Sequence, residues 1–509
     1  MWDLVAQRFE RKGAAAYLYD PLGFMDHCIR WPQGHDGEPG GLTPYQREVI
    51  ADLVIARRMA VRGPHGLGKT TTNALVIHWF ALTRDAARID WKIITTAGAW
   101  RQLIKYLWPE IHKWSRFLDW EAIGRRPYTQ HELLDLNLKL TYGQASAVAA
   151  SDKELIEGAH ADSLLYVYDE SKSIKADIFD ASEGAFSGAR ESGLPEAFGL
   201  AQSTPGEMQG RFYDIHARKP GLDDWKVRHV TKQEVIDAGR MSASWARNRR
   251  LQWGEESAVY ANRVLGEFHA SDEDSVIPLR WVELANERWL EWKDQGCPTQ
   301  IGRRVKGVDV ARGGADLTVI ANRIGPIVYP LETFALKDTT KVADAVKAGM
   351  HQTDLSIVDV IGVGAGVVDL LRRWQVPTYA FNASRKSGLR DRSGEYGFVN
   401  QRAAMWWTLR EMLDPAFDPT LAIPPNDALL GELVAPKYWH TPAGKIQVES
   451  KDDVRKRLGR STDHADAVGQ SLLTDSEFND PPDDGKPNTR QYVQDERKAM
   501  AGGDAFSWE

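Results

Sequence analysis

Apolar and polar positions along the chain form two alternating patterns with a break between them. From Leu42 to about Gly266, short apolar runs alternate with helical periodicity, the pattern of an α/β domain with a largely parallel sheet. Met59-Ala60-Val61 is a short strand-like run, and Ala74, Leu75, Ile77 and Phe80 give an apolar face to a helix from about Thr70 to Thr83. Between about Ser271 and Thr299 an acidic Ser-Asp-Glu-Asp-Ser stretch, a Trp-rich helical segment and Gly296-Cys297-Pro298 read as a hinge or linker. A second α/β pattern starts at about Gly302. Val305–Val310, Leu317–Ala321, Ile327–Tyr329 and Ser356–Val360 are strands, Met405–Met412 is helical, and Ala467–Leu473 lies in a last helix. These patterns predict a first domain over 1–270 with a lead-in, a linker over 271–300, a second domain over 301–475 and a polar tail over 476–509.

At 509 residues, two or three domains are expected. No apolar run approaches the length of a membrane span, and the N-terminus has no signal-peptide pattern, so no membrane role is expected. Cys28 and Cys297 are the only cysteines, which points to a reducing compartment and away from a disulfide framework or a cysteine-based zinc site. A formal net charge of −7 neither favours nor excludes nucleic acid, because only the local field of a groove counts.

Chemistry enters with Gly63-Pro64-His65-Gly66-Leu67-Gly68-Lys69-Thr70, which reads G-x-x-x-x-G-K-T. Its glycines let the backbone curl so that N–H groups face a polyphosphate. Lys69 would reach the β- and γ-phosphates, the Thr70 hydroxyl would ligate Mg²⁺, and the helix that follows adds its positive end. The run Leu164–Tyr168 ends in Asp169 and Glu170, at the edge of a buried parallel strand where ligands bind. Asp169 is expected to hold Mg²⁺ through water and Glu170 to orient or deprotonate the attacking water. Tyr45-Gln46 reads either as a contact to an adenine or as a Pro-capped helix start with a solvated Gln. Thr95-Thr96 and Gln202-Ser203-Thr204 put hydroxyls at strand ends, where they can sense a γ-phosphate or grip a DNA phosphate.

The second half carries acids at strand ends. Asp309 lies within an apolar strand, which is costly unless it is paired or bound to a metal. Asp316 follows a Gly-Gly turn, Asp359 repeats the pattern, and Asp463 and Asp466 are three apart and share a helix face, with His464 read as a neighbour rather than a ligand. Carboxylates of this kind can hold two divalent ions about 4 Å apart for phosphodiester hydrolysis. Hard oxygen ligands point to Mg²⁺ or Mn²⁺.

Taken in order, G-x-x-x-x-G-K-T, L-L-Y-V-Y-D-E, Q-S-T-P, G-V-D-V-A-R-G-G-A-D, S-I-V-D-V-x-G-x-G and D-H-A-D-A-V resemble the large terminase subunit of tailed bacteriophages over about residues 40–475. The resemblance implies an additional-strand, RecA-like P-loop ATPase that drives double-stranded DNA into a procapsid. It also implies an RNase H-like nuclease that cuts concatemeric DNA at the start and end of packaging. By position, Asp309, Asp359 and Asp466 match the family's metal triad with Asp463 as an auxiliary acid, Gln202-Ser203-Thr204 match its coupling segment, and Tyr45 and Gln46 its adenine contact. ATP, Mg²⁺ at the ATPase site and two Mg²⁺ or Mn²⁺ ions at the nuclease are implied as cofactors. The implied partners are DNA, the portal protein, a small terminase subunit and other copies of the chain in a ring, read as a pentamer. The implied location is the host cytoplasm, with transient docking on the procapsid and no place in the mature virion. One departure stands out. Where many members carry an arginine in the loop, this chain has His65, which supplies no dependable charge at neutral pH. A neighbouring subunit's arginine is then expected, with Arg101 and Arg190 as candidates, while Arg62 precedes the loop. The alternatives are a helicase-nuclease, which needs a second RecA-like domain, and a non-enzymatic capsid-vertex protein, which would have lost its catalytic acids.

Overall fold

The computed structural model describes residues 12–33, 40–269, 274–311, 317–335, 338–458 and 461–473. The tail from residue 476 and Asp316 lie outside them. Contacts divide the chain into two units, Met1–Arg247 with Tyr260–Ala270, and Asn248–Val259 with Ser271–Glu509.

Unit 1 is built on an eight-stranded sheet. Its strands are β1 (Arg58–Arg62), β2 (Trp91–Ala97), β3 (Leu133–Leu134), β4 (Asn137–Lys139), β5 (Gly143–Ala147), β6 (Ser163–Asp169), β7 (Glu196–Ser203) and β8 (Lys226–His229). The order is β3-β4-β5-β2-β6-β7-β1-β8. Strands β5, β2, β6, β7, β1 and β8 run parallel, and β3–β4–β5 is antiparallel. Strand β7 therefore separates the loop-bearing strand β1 from the acid-bearing strand β6, the additional-strand arrangement that the resemblance implies. β6 and β7 are buried along their whole length, which is why they read as continuous apolar runs rather than alternating ones.

A buried ion pair ties the helix Lys69–Ala86 to this sheet. Arg84 and Glu196 are fully buried, with Nη2 of Arg84 3.0 Å from Glu196 Oε1. Arg57 Nη1 donates to Glu196 Oε2 at 2.9 Å and Ser163 Oγ to Oε1 at 2.6 Å. Burial alone would raise the Glu196 carboxyl, but Arg84, Ser163 and Arg57 more than offset it and hold it below the ordinary value.

Unit 2 contains β9 (Arg304–Asp309), β10 (Thr318–Ile324), β11 (Ile327–Val328), β12 (Glu332–Phe334), β13 (Leu355–Asp359) and β14 (Thr378–Phe381). The order is β11-β10-β9-β13-β14, with β12 paired to β10. β9 and β10 are antiparallel, whereas β9, β13 and β14 are parallel. A hairpin followed by parallel additions on the other side of the first strand is the RNase H-like order. It is not the parallel sheet that a second RecA-like domain would need. Val308, Ile320, Val342, Val358, Val367 and Leu371 form its core.

The stretch read as a linker is, over Leu279–Asp294, a helix of this unit. Trp289 and Trp292 pack with Ile327 and Ala422, and Trp289 Nε1 donates to the Val328 carbonyl at 2.9 Å. The Gly296-Cys297-Pro298 turn marks where that helix stops, not a domain boundary. Among the described residues no helix is long and apolar enough to cross a membrane.

Glu196→Gln should destabilise the protein by about 3–5 kcal/mol, because it leaves the buried Arg84 charge uncompensated. Denaturant unfolding checks this.

Candidate functional site: a phosphate loop and a carboxylate cluster

In unit 1 the sheet register fixes the site. It pairs Ala97 with Asp169, Asp169 with Gln202, Val61 with Gln202 and Arg62 with Ser203. The C-terminal ends of β2, β6, β7 and β1 therefore share one edge, and the loop Gly63–Gly68 leaves from it. Gly66 and Gly68 have φ of 83° and 88°. Gly68 is needed twice over, since a Cβ there would also lie 2.8 Å from Gln46 Nε2.

Tyr45 and Gln46 lie against the phosphate loop. Tyr45 Oη donates to the Leu67 carbonyl at 3.0 Å. Gln46 Nε2 donates to the Gly68 carbonyl at 3.3 Å and to Thr72 Oγ1 at 3.0 Å, while its Oε1 accepts from Thr43 N and Oγ1, both at 3.0 Å. The helix Pro44–Ala56 starts with a capping box at Thr43 and Gln46, so the Gln faces the loop. Both residues are 2% exposed. They brace the phosphate loop, and both ends of the Gln46 amide are engaged within the chain.

Lys69 Nζ lies 3.8 Å from Glu170 Oε1, and Ser203 Oγ donates to Glu170 Oε2 at 3.0 Å. Glu170 has φ of 46°, a left-handed backbone that costs a non-glycine residue about 1–3 kcal/mol. The Ser173 amide and hydroxyl hold it there by donating to its carbonyl at 3.1 and 2.9 Å. Asp169 is buried, and desolvation, then the neighbouring Glu170, push its carboxyl up to about 7 against the pull of Lys69 and a hydrogen bond from Asn73. Pro64 and Leu67 are buried, Thr70 is half-buried in the first helical turn, and Thr204 is buried beyond Ser203.

His65 is on the exposed side of the loop, yet crowding by protein around its ring, then the charges of Arg263, Lys69 and Lys172, hold it well below the ordinary imidazole value. It is neutral at pH 7. Arg62 is half-buried with its guanidinium 5.2 Å from the Phe268 ring. Arg101 donates to Tyr106 Oη at 3.2 Å on the surface, and Arg190 is exposed.

In unit 2 the register that pairs Val358 with Val308 brings Asp309 and Asp359, one residue further on, to the same edge of β9 and β13. The helix Asp463–Ser471 packs against β9 so closely that a Cβ on Gly307 would collide with the Ala467 carbonyl. Gln470 Oε1 accepts from the Val308 amide at 3.0 Å. Glu432 fixes the helix start by accepting from the amides of His464 and Ala465 at 2.7 and 3.1 Å, and His464 Nδ1 lies 2.9 Å from its Oε1. His464 is thus a neighbour of the site, tied to Glu432.

The carboxylates converge on a lysine that sequence reading missed. Lys451 Nζ lies 2.7 Å from Asp309 Oδ2, 3.1 Å from Asp463 Oδ1 and 3.2 Å from Asp466 Oδ2. Desolvation opposes its charge, but Asp466, Asp309 and Asp463 hold it protonated, well above the ordinary value. Burial raises Asp309 well above the carboxylate range, with Lys451 pulling the other way. Asp359 is also raised by burial, although the Ile361 amide donates to its Oδ1 at 2.9 Å.

Asp466 is the opposite case. Burial would raise it, but Arg402, Lys451 and Thr462 bring it below the ordinary value. Arg402 Nη1 and Trp406 Nε1 bond Oδ1 at 2.6 and 3.1 Å, and Thr462 Oγ1 bonds Oδ2 at 2.8 Å. Among the described residues no group of three His, Cys, Asp or Glu side chains is spaced to hold an ion as it stands. Lys451 stands where the carboxylates of Asp309, Asp463 and Asp466 meet. A donor set of hard oxygens that already gathers a cation fits Mg²⁺ or Mn²⁺.

No family model matches the chain. Among curated proteins it is 23% identical over 453 residues to the "Probable terminase, large subunit" of Enterobacteria phage P7, spanning 81% of this chain and 84% of that protein. The solved nuclease domain of the large terminase subunit gp2 of bacterial virus Sf6 aligns at 22% identity with 39% of this chain and 99% of its own, with a TM-score of 0.32. The large terminase of a thermophilic bacteriophage aligns at 12% identity with 85% of this chain and 98% of its own, with a TM-score of 0.38. By sequence the chain resembles a large terminase subunit.

Between the ordinary carboxyl value and about 7, Asp169 is protonated in the folded chain and ionised in the unfolded one, so its contribution to stability falls as pH rises through that window. Asp169→Asn should therefore raise the Tm of the ligand-free protein at pH 8 and change it little at pH 4. Lys451→Met removes the cation among three carboxylates. It should lower the metal-free Tm by a few degrees, about 1–2 kcal/mol, and enlarge the stabilisation by millimolar Mn²⁺ over that of the wild type.

Proposed function

We propose that this chain is a DNA-packaging motor and nuclease, with ATP hydrolysis in unit 1 and metal-dependent cutting of double-stranded DNA in unit 2. The observation that carries the motor reading is Lys69, Glu170 and Ser203 meeting within 3.8 Å at the sheet edge from which the phosphate loop departs. The curated relative's name, a large terminase subunit, supports joining this to a nuclease in one chain.

In unit 1 the loop amides of Gly63–Thr70 and the Lys69 ammonium bind the polyphosphate. Glu170, held by Ser203 and by its strained backbone, orients the attacking water and accepts its proton. Thr70 and Asp169 would hold Mg²⁺. In unit 2, Asp309, Asp359, Asp463 and Asp466 would hold Mg²⁺ or Mn²⁺. Divalent ions supply charge for the developing phosphate negative charge and lower the pKa of a bound water. Asp466, also engaged by Arg402 and Trp406, would keep Lys451 and the helix start in place as well.

His65 carries no charge, so a second cation for the γ-phosphate comes from a neighbouring copy in a ring. Double-stranded DNA, a portal protein and a small terminase subunit are the remaining partners in this reading, with the chain docked on a procapsid only during packaging.

Lys69→Ala and Glu170→Ala should each lower ATP hydrolysis by at least about a hundredfold and leave metal-dependent DNA cutting intact. Asp309→Ala should abolish cutting and spare ATP hydrolysis. Steady-state ATPase and plasmid-nicking assays on the same preparations check the separation. Cutting unchanged in Asp309→Ala would show the carboxylate assignment to be wrong.

A further inference from the structure

Asn73 is wholly buried on the helix Lys69–Ala86, one turn beyond Thr70. A buried side-chain amide costs free energy unless both ends are paired. Here both are. Nδ2 donates to Asp169 Oδ1 at 3.0 Å, and Oδ1 accepts from Gln202 Nε2 at 2.6 Å. When Asp169 is ionised its carboxylate only accepts, so it takes the NH₂ end of Asn73, which leaves Oδ1 for Gln202 and requires Gln202 to present its own NH₂. Asp169, Asn73 and Gln202 are 2%, 0% and 1% exposed, so bulk water cannot stand in for a lost partner.

The placement links three elements. Asp169 and Gln202 are paired in the β6–β7 register, and Asn73 spans them from the helix that begins at Lys69. Ser203, the next residue of β7, donates to Glu170. Each of the two acids is therefore bonded to β7, Glu170 through Ser203 directly and Asp169 through Asn73. An amide is rigid and planar, so a shift of the carboxylate at one end of Asn73 is felt at the other.

We propose that Asn73 is a positioning residue that fixes the Asp169 carboxylate for the nucleotide's magnesium ion and passes a change there to Gln202 on β7. The proposal rests on the reading of unit 1 as an ATPase. It makes the strand between the loop strand and the acid strand sensitive to metal as well as to the water-side acid.

The test uses the full chain and a fluorescent ATP analogue, with Mg²⁺ titrated at fixed analogue and binding also measured without Mg²⁺. Asn73→Leu, which keeps the branched shape without polar atoms, should leave metal-free binding within about twofold and raise the half-saturating Mg²⁺ concentration about 10- to 100-fold, the usual effect of removing a partner of a metal ligand. Asn73→Ser, which is smaller and perturbs folding less, should move it in the same direction by at least about threefold. Adding Gln202→Leu to Asn73→Leu should shift it no further, because the path is already cut. A half-saturating Mg²⁺ concentration unchanged in a folded Asn73 variant, or additive shifts in the double variant, would overturn the proposal. Wild-type protein that fails to bind the analogue, or Lys69→Ala that binds and hydrolyses ATP normally, removes the ATPase reading and this inference together. Normal wild-type binding with an unshifted Mg²⁺ requirement in Asn73→Leu removes the inference alone.

Discussion

A carboxylate at the end of a buried strand cannot stay ionised unless something positive stands beside it, and both candidate sites follow from that constraint. In unit 1 the requirement is met only in part. Lys69 and the Asn73 amide oppose the desolvation of Asp169, yet its carboxyl is still pushed up to about 7. The folded chain keeps an acid there that gains from an arriving cation. In unit 2 the chain carries its own cation, since Lys451 touches three carboxylates and is held protonated by them, yet burial still raises Asp309 well above the carboxylate range. In the proposed reading, an ion entering unit 2 would displace or share with Lys451, whereas in unit 1 it would arrive with the nucleotide.

The rest of the architecture serves to keep these acids where they are. Gln46 and Tyr45 reach across to the loop from the helix Pro44–Ala56, and Gly68 supplies both the left-handed turn and the space they need. Gly307 lets the helix Asp463–Ser471 lie against β9, which sets Asp463 and Asp466 over Asp309. The Arg84–Glu196 pair anchors the loop helix to the far end of β7. In each case a small residue or a buried polar pair fixes a helix relative to a strand, and the acids are positioned as a consequence.

What was legible in the sequence was what periodicity and local motifs encode. Strands β1, β6, β9 and β13 and the helices after the loop and at Asp463 followed from apolar runs and spacing, and the acids at their ends followed from position. What depended on long-range partners was not legible. Lys451 lies in a charged run, Lys-Asp-Asp-Val-Arg-Lys-Arg, that reads as a solvated helix face, and nothing local says that it turns toward Asp309. Asn73 is a polar residue beside an apolar stripe, and only the β6–β7 register shows what its two ends meet. Gln46 reads either as an adenine contact or as part of a Pro-capped helix start, and only the fold shows its amide turned to the loop. The Trp-rich segment reads as a linker because its flanks are polar and Gly-rich, whereas Trp289 and Trp292 find apolar partners at Ile327 and Ala422.

The central claim is that both carboxylate sites are cation sites. Anomalous diffraction from crystals of the full chain grown with Mn²⁺ and a non-hydrolysable ATP analogue tests it most directly. Manganese is expected beside Thr70 and Asp169 on the nucleotide, and within coordination distance of Asp309 with Lys451 Nζ moved away from that carboxylate. Manganese absent from both positions, with Lys451 still bonded to Asp309 and no nucleotide on the Gly63–Thr70 loop, would contradict it.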